Sequence, residues 1–280
     1  MSLILKDVSY IYNPNSLYET TALDRISFEI NSGETVGIIG HTGSGKSTLL
    51  QLLNGLLKPD SGFIEVAGTQ ITKTTKNLAA LRREVGLVFQ YPEYQLFEET
   101  VAKDIAFGPR NQGLSQEEIE NRVQEAMDLV GLDASYREKS PMELSGGEKR
   151  RAAIAGVLAM RPKILMLDEP TAGLDPQGRE KLIRQLMVLK GKLTLIFISH
   201  SMEEVAKIAD RILVLSQGKL VLDSPVGEVF EEEKLLTDVG LDLPVIARLF
   251  ARLRERGCNY SKNYYLLEDG LRVLTEGEDD

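Results

Sequence analysis

The octapeptide Gly40-His41-Thr42-Gly43-Ser44-Gly45-Lys46-Ser47 constrains the fold of this 280-residue chain more than any other segment. Before it, Thr35-Val36-Gly37-Ile38-Ile39 is a continuous apolar run suited to a strand buried on both faces. After it, a leucine-rich helix is predicted from about Lys46. In the order strand, glycine loop, helix, backbone N–H groups curl round phosphate oxygens at the positive end of the helix. The pattern assigns Lys46 to the β and γ phosphates of a nucleotide and the Ser47 hydroxyl to Mg2+, with Gly40 to Thr48 as the cradle.

Leu3, Leu5 and Val8, and then Leu23, Ile26, Phe28 and Ile30, alternate with polar residues around Asn13-Pro14-Asn15-Ser16, which predicts antiparallel strands. Further strands are predicted at Phe63–Val66 and Val85–Phe89, with a short helix near Leu78–Leu81. From Glu98 to about Tyr136 the pattern is helical, with Ile119, Val123, Ala126, Met127 and Val130 on one face. Helix signals then alternate with the apolar runs Ile164–Leu167, Thr194–Ile198 and Arg211–Leu215, the mark of an α/β fold with a mostly parallel sheet. Beyond Ser224-Pro225, an acidic run at Glu231–Glu233 precedes a helix opened by Pro244 and stopped by Gly257. Its stripe of Val245, Ile246, Leu249, Phe250 and Leu253 needs a surface to cover; packing on the main domain is the expectation, an oligomer contact the alternative. Glu276-Gly277-Glu278-Asp279-Asp280 reads as a solvated tail.

Charge narrows the partners. With 33 Lys+Arg against 42 Asp+Glu the net charge is −9, and no basic patch is segregated, so nucleic acid is not an expected partner. Cys258, the single cysteine, makes no intramolecular disulfide. Met1 to Asp7 lacks the pattern of a secretion signal, and the longest small-and-apolar stretch, Ala152 to Met160, falls far short of the ~20 residues that span a bilayer. A cytoplasmic chain is expected, with any membrane role exercised through a partner.

Two further motifs carry chemistry. Ile164-Leu165-Met166-Leu167-Asp168-Glu169 is a buried strand ending in two acids. Beside a phosphate loop, Asp168 is the expected metal-shell carboxylate and Glu169 the group that orients or deprotonates an attacking water. Leu144-Ser145-Gly146-Gly147-Glu148 sets glycines and a hydroxyl before a helix expected from near Lys149, a second place for anions. A plain helix cap at Ser145 is the alternative. One nucleotide needs one cradle, so the second suggests two chains meeting head to tail, each completing the other's site.

In order along the chain, the phosphate loop, Gln90, Leu-Ser-Gly-Gly-Glu, Leu-Asp-Glu, Ala172-Gly173-Leu174-Asp175 and Ser199-His200 resemble the ATPase subunits of ABC transporters, over residues 2–224. The resemblance implies a P-loop ATPase in residues 1–224, with a mostly parallel core sheet, an antiparallel β subdomain and a helical subdomain near 98–160. A small C-terminal extension, 225–280, would supply dimerisation or docking helices. ATP and Mg2+ are the implied cofactors, with Lys46, Glu169 and His200 catalytic and Ser47, Gln90 and Asp168 around the metal. The resemblance also sets His200 on the γ-phosphate, Asp175 at a dimer interface, and Ser145, Gly146, Gly147 and Glu148 on the opposite chain's nucleotide. Tyr12 rather than Tyr10 would stack on adenine.

Gln90-Tyr91-Pro92-Glu93-Tyr94-Gln95-Leu96-Phe97, Val101 and Asp104–Asn111 more narrowly resemble the energy-coupling-factor transporter ATPases, which drive uptake of vitamins and of cobalt or nickel ions. Gly40-His41-Thr42 and Ala153–Met160 resemble the second of their two paralogous ATPase subunits. The implied partners are a paralogous ATPase or a second copy of this chain, a transmembrane coupling subunit and a membrane substrate-binding subunit. They would hold the chain at the cytoplasmic face of the cell membrane. Another ABC importer ATPase, for amino acids, phosphate or a metal, shares every nucleotide residue. A soluble ABC ATPase acting on nucleic acid or ribosomes usually carries a coiled-coil insertion or two phosphate loops, which this sequence lacks. One departure stands out: the signature ends in Glu148, where the family usually has Gln. A carboxylate facing nucleotide would repel it, and the expectation is that Glu148 points to solvent.

Overall fold

The computed structural model describes residues 3–258, 260 and 262–277. Met1, Ser2 and the tail residues 278–280 of the readings above lie outside the described residues. Alternation builds the first hairpin: β1 (Leu3–Tyr12) and β2 (Thr20–Ile30) run antiparallel from Leu3↔Ile30 to Tyr12↔Thr20. The fully buried β3 (Thr35–Ile39) passes through the glycine loop into α1 (Lys46–Leu53). β4 (Ser61–Val66) and β5 (Thr69–Ile71) then complete an antiparallel sheet of order β2-β1-β4-β5. α2 (Ala79–Glu84) leads into β6 (Val85–Val88).

Three helices follow, α3 (Val101–Asn111), α4 (Gln116–Leu129) and α5 (Gly146–Leu158). Each starts where a hydroxyl, of Thr100, Ser115 or Ser145, accepts a backbone N–H three residues on. The helix expected from near Lys149 therefore begins at Gly146, because Ser145 and Glu148 close a reciprocal capping box. β7 (Ile164–Asp168), α6 (Pro176–Leu189), β8 (Thr194–Ile198), α7 (Met202–Ile208), β9 (Arg211–Ser216) and β10 (Lys219–Pro225) complete the core. The second sheet has order β10-β9-β3-β8-β7-β6, parallel except for β10. Its central strands alternate between two cores: Leu165, Leu167 and Phe197 face the helical region, while Ile164, Met166 and Ile198 face the antiparallel sheet. Burial on both faces is why these strands read as unbroken apolar runs.

The tail departs from expectation. α8 (Val226–Val229) and α9 (Glu233–Asp238) send Val226, Val229, Phe230 and Leu236 into the main core, which continues to Leu243, so the core does not stop at residue 224. α10 (Val245–Glu255) and α11 (Leu267–Glu276) build a core of their own from Ile246, Phe250 and Val273, with Tyr260 and Tyr264 against it. The buried members of the α10 stripe, Ile246 and Phe250, thus meet α11, while Ala247 packs on the main core, the Val245 N–H donates to Glu203, and the Val245 and Leu249 side chains stay exposed. Among the described residues no helix is long and apolar enough to cross a membrane.

Candidate active site

The phosphate loop enters α1 through Gly45 at φ 103°, where a Cβ would stand 2.5 Å from the Ala22 carbonyl oxygen. On Gly40 a Cβ would lie 2.2 Å from the Leu215 carbonyl oxygen, so only glycine fits either position. Lys46 Nζ donates to the carbonyls of Gly40 at 2.7 Å and His41 at 3.0 Å. Burial draws its ammonium below the usual lysine range, against the opposing pull of Glu169 and Asp168.

Around the loop lies a cleft of about 560 Å³ lined by Tyr12, Thr42, Gly43, Gly45, Lys46, Ser47, Thr48, Gln90, Glu169 and His200. Thr20, Thr21 and Ala22 also line it, at the start of β2, and carried no motif in the sequence. Gly40, His41 and Ser44 shape the loop without lining the cleft; His41 Nδ1 lies 2.8 Å from the Thr42 carbonyl oxygen. Tyr12 brings its hydroxyl within 3.2 Å of Thr48 Oγ1, whereas Tyr10 stacks edge-on behind it and packs on the core.

β7 delivers the two acids. Burial pushes the Asp168 carboxyl above the usual aspartate range, although the Ser47 hydroxyl hydrogen-bonds it. Glu169 adopts φ 48°, the left-handed region that non-glycine residues rarely occupy, and its N–H donates to the Ile198 carbonyl at 3.1 Å. In this position its carboxylate accepts from Gln90 Nε2 at 3.1 Å and lies 2.8 Å from His200 Nε2. Residues from the ends of three sheet strands so converge on one carboxylate. The Ser47 hydroxyl, the Asp168 carboxylate and the Gln90 amide are hard oxygen donors with a single charge among them. That set suits Mg2+, which takes few protein carboxylates and shares its remaining positions with phosphate oxygens and water.

Ser145, Gly146, Gly147, Glu148 and Asp175 line a different cleft of about 440 Å³, which shares no residue with the first. Asp175 caps α6 by accepting the Gly178 N–H at 2.7 Å. Glu148 does not point to solvent as expected. Its carboxylate accepts from the Tyr136 hydroxyl at 2.6 Å and from the N–H and hydroxyl of Ser145 at 2.7 Å each, and these bonds hold it down at about 2. Two buried charges carry no local pattern, because each ties together segments that are distant in the chain. Glu204 accepts from Thr171 Oγ1 and Ser199 Oγ, both at 2.7 Å, joining the loop after Glu169 to the one carrying His200. Arg150 joins the loop after Glu169 to Glu93.

The ABC transporter family matches residues 23–172. Over 99% of its length the chain is 52% identical to the energy-coupling factor transporter ATP-binding protein EcfA2 of Clostridium perfringens, covering 98% of that protein. To EcfA2 of Caldanaerobacter subterraneus subsp. tengcongensis it is 54% identical, over 96% of this chain and 95% of the relative. Among solved structures, cbiO1 of Clostridium perfringens, described as part of the ABC transporter complex cbiONQ, superposes with a TM-score of 0.75 at 39% identity, over 89% of this chain and 98% of the other. A dimeric post-hydrolysis state of the ATP-binding cassette MJ0796, bound to ADP and Pi, superposes with a TM-score of 0.72 at 29% identity, over 80% and 98%.

Proposed function

Since the chain belongs to the ABC transporter family, and within it to the energy-coupling-factor ATPases, it hydrolyses ATP with Mg2+ as the ATP-binding subunit of an ECF-type importer, and we propose how its residues divide that work. Lys46 and the loop amides hold the β and γ phosphates, Tyr12 covers adenine, and Ser47, Asp168 and Gln90 hold the metal. Mg2+ bound there neutralises charge on the phosphate oxygens. Glu169 takes the proton of the attacking water, Gln90 orients that water, and His200 donates to the γ-phosphate. The observation that carries this reading is the Glu169 carboxylate held between Gln90 and His200 at the mouth of the phosphate-loop cleft.

Two clefts with no residue in common support a two-chain site, in which Ser145 to Glu148 of one chain face the nucleotide of the other and Asp175 lies at the interface. The second chain is a paralogue or another copy; dimeric MJ0796 offers a precedent at the level of the fold. Gln90 to Phe97 and the helices α3 to α5 receive a transmembrane coupling subunit, beside which a membrane substrate-binding subunit selects a vitamin or a transition-metal ion. The chain is then peripheral at the cytoplasmic face of the membrane. Glu169→Gln keeps ATP binding and slows steady-state phosphate release about 100-fold or more, the loss expected with a general base. Lys46→Ala loses ATP affinity by calorimetry. Turnover near that of the parent in Glu169→Gln removes Glu169 from this role.

A further inference from the structure

Arg150 is 2% exposed, and its guanidinium is spent on two other segments of the chain. Nε and Nη2 donate to the Glu93 carboxylate at 3.1 and 2.7 Å, while Nη1 donates to the carbonyls of Pro170, at 3.1 Å, and Ala172. Glu93 sits in the one-turn 3-10 helix Pro92–Gln95, three residues beyond Gln90 and two beyond Tyr91. Tyr91 is itself at φ 57°, with its ring centroid 5.7 Å from the guanidinium. Pro170 and Ala172 follow Glu169, and Arg150 itself lies in the second turn of the helix that Ser145 caps. One planar, permanently charged group therefore ties together the flanks of Gln90 and Glu169 and the signature helix.

Stability is a weak reason for such a pair, since desolvating two charges offsets most of their attraction and an apolar pair of similar volume serves a core equally well. Geometry is a stronger one. Tyr94 and Phe97, on the Glu93 segment, are 85% and 64% exposed, so whatever covers them presses on a segment whose buried anchor is Arg150. We propose that Arg150 is a positioning residue: with Glu93 it makes the Tyr91–Gln95 segment, α5 and the loop after Glu169 move as one body, so that displacement at the exposed face reaches the catalytic carboxylate. The proposal rests on the assignment of Gln90 and Glu169 given above.

Hydrogen exchange on the whole chain, read by mass spectrometry, tests it without relying on turnover. Glu93→Gln keeps the shape of the side chain and touches nothing in residues 170–174, yet it should speed exchange of the Ala172 and Leu174 amides about tenfold, with no such effect when added to Arg150→Lys. Steady-state kcat should fall about 10- to 100-fold in both single variants while KM for ATP stays within about twofold, the split expected when catalytic groups are misplaced. Unchanged exchange at 170–174 in Glu93→Gln, or kcat at the parent level with only a lowered Tm, overturns the proposal and leaves Arg150 a strut. Glu169→Gln measured alongside separates the two readings: parent-like turnover in that variant defeats the site assignment, whereas slow turnover in it together with unchanged exchange in Glu93→Gln overturns the role of Arg150 alone.

Discussion

At the scale of single residues, Glu148 is the clearest case of a side chain whose meaning the fold decides. It serves as the acidic member of a capping box at the positive end of α5, where a carboxylate is welcome. It also accepts a hydrogen bond from the Ser145 hydroxyl and stands as a fixed charge in the cleft proposed to meet the opposite nucleotide. Gln caps equally well without the charge. Glu148→Gln in the Glu169→Gln background should therefore strengthen Mg-ATP-driven association about 2- to 5-fold, the worth of one charge at a helix terminus, as measured by light scattering. The same carboxylate contributes a pH dependence with a defined sign. Its folded pKa of about 2 lies below the ordinary 4.5, so unfolding takes up a proton. The Tm advantage over Glu148→Gln should be full above pH 4.5 and disappear as the pH falls toward about 2. No periodicity announces any of this, because the third partner, Tyr136, lies on a separate turn from the helix that carries Glu148.

Among the elements, legibility followed burial and punctuation. β3, β7 and β8 are buried at every position and appeared as apolar runs, and α10 was bracketed by Pro244 and Gly257. β5 carries no readable pattern because it has three residues, and β10 carries none because its residues are mostly half-buried and follow no clean alternation. The turn before β10, Gln217 at φ 48° and Gly218 at φ 75°, has the doubly positive form that hairpins favour, but Gln is not its usual signal. α11 has no side-chain cap to mark its start, and its partner face exists only once Gly270 lies against Ile246. A Cβ at Gly270 would come within 2.2 Å of Ile246 Cγ1. Gly270→Ala should thus part α10 from α11 at a cost of about 1–3 kcal/mol. Limited proteolysis would then cut the tail beyond Leu243 while ATP turnover in the remainder of the chain persists.

For the whole molecule, the decisive fact is that the phosphate-loop cleft and the signature cleft are separate surfaces of one chain. In the proposed two-chain site, a nucleotide held in the first cleft is covered by the signature of the second chain. Glu169→Gln should accordingly pass from monomer to dimer in light scattering only with Mg-ATP, and Lys46→Ala added to it should abolish the dimer; a chain that stays monomeric at saturating Mg-ATP identifies the paralogue as the obligatory partner. By itself the sequence determined the α/β class, the phosphate loop, the acidic end of β7 and the family, because each of these is encoded in contiguous residues whose periodicity or spacing is set by local backbone geometry. Only the tertiary structure decided that Gln90 and His200 meet on Glu169, that Arg150 is buried against Glu93, that Glu148 folds back on Ser145, and that the main core runs on to Leu243. Those outcomes depend on strand order and helix packing between residues far apart in the chain, and no local pattern carries that information.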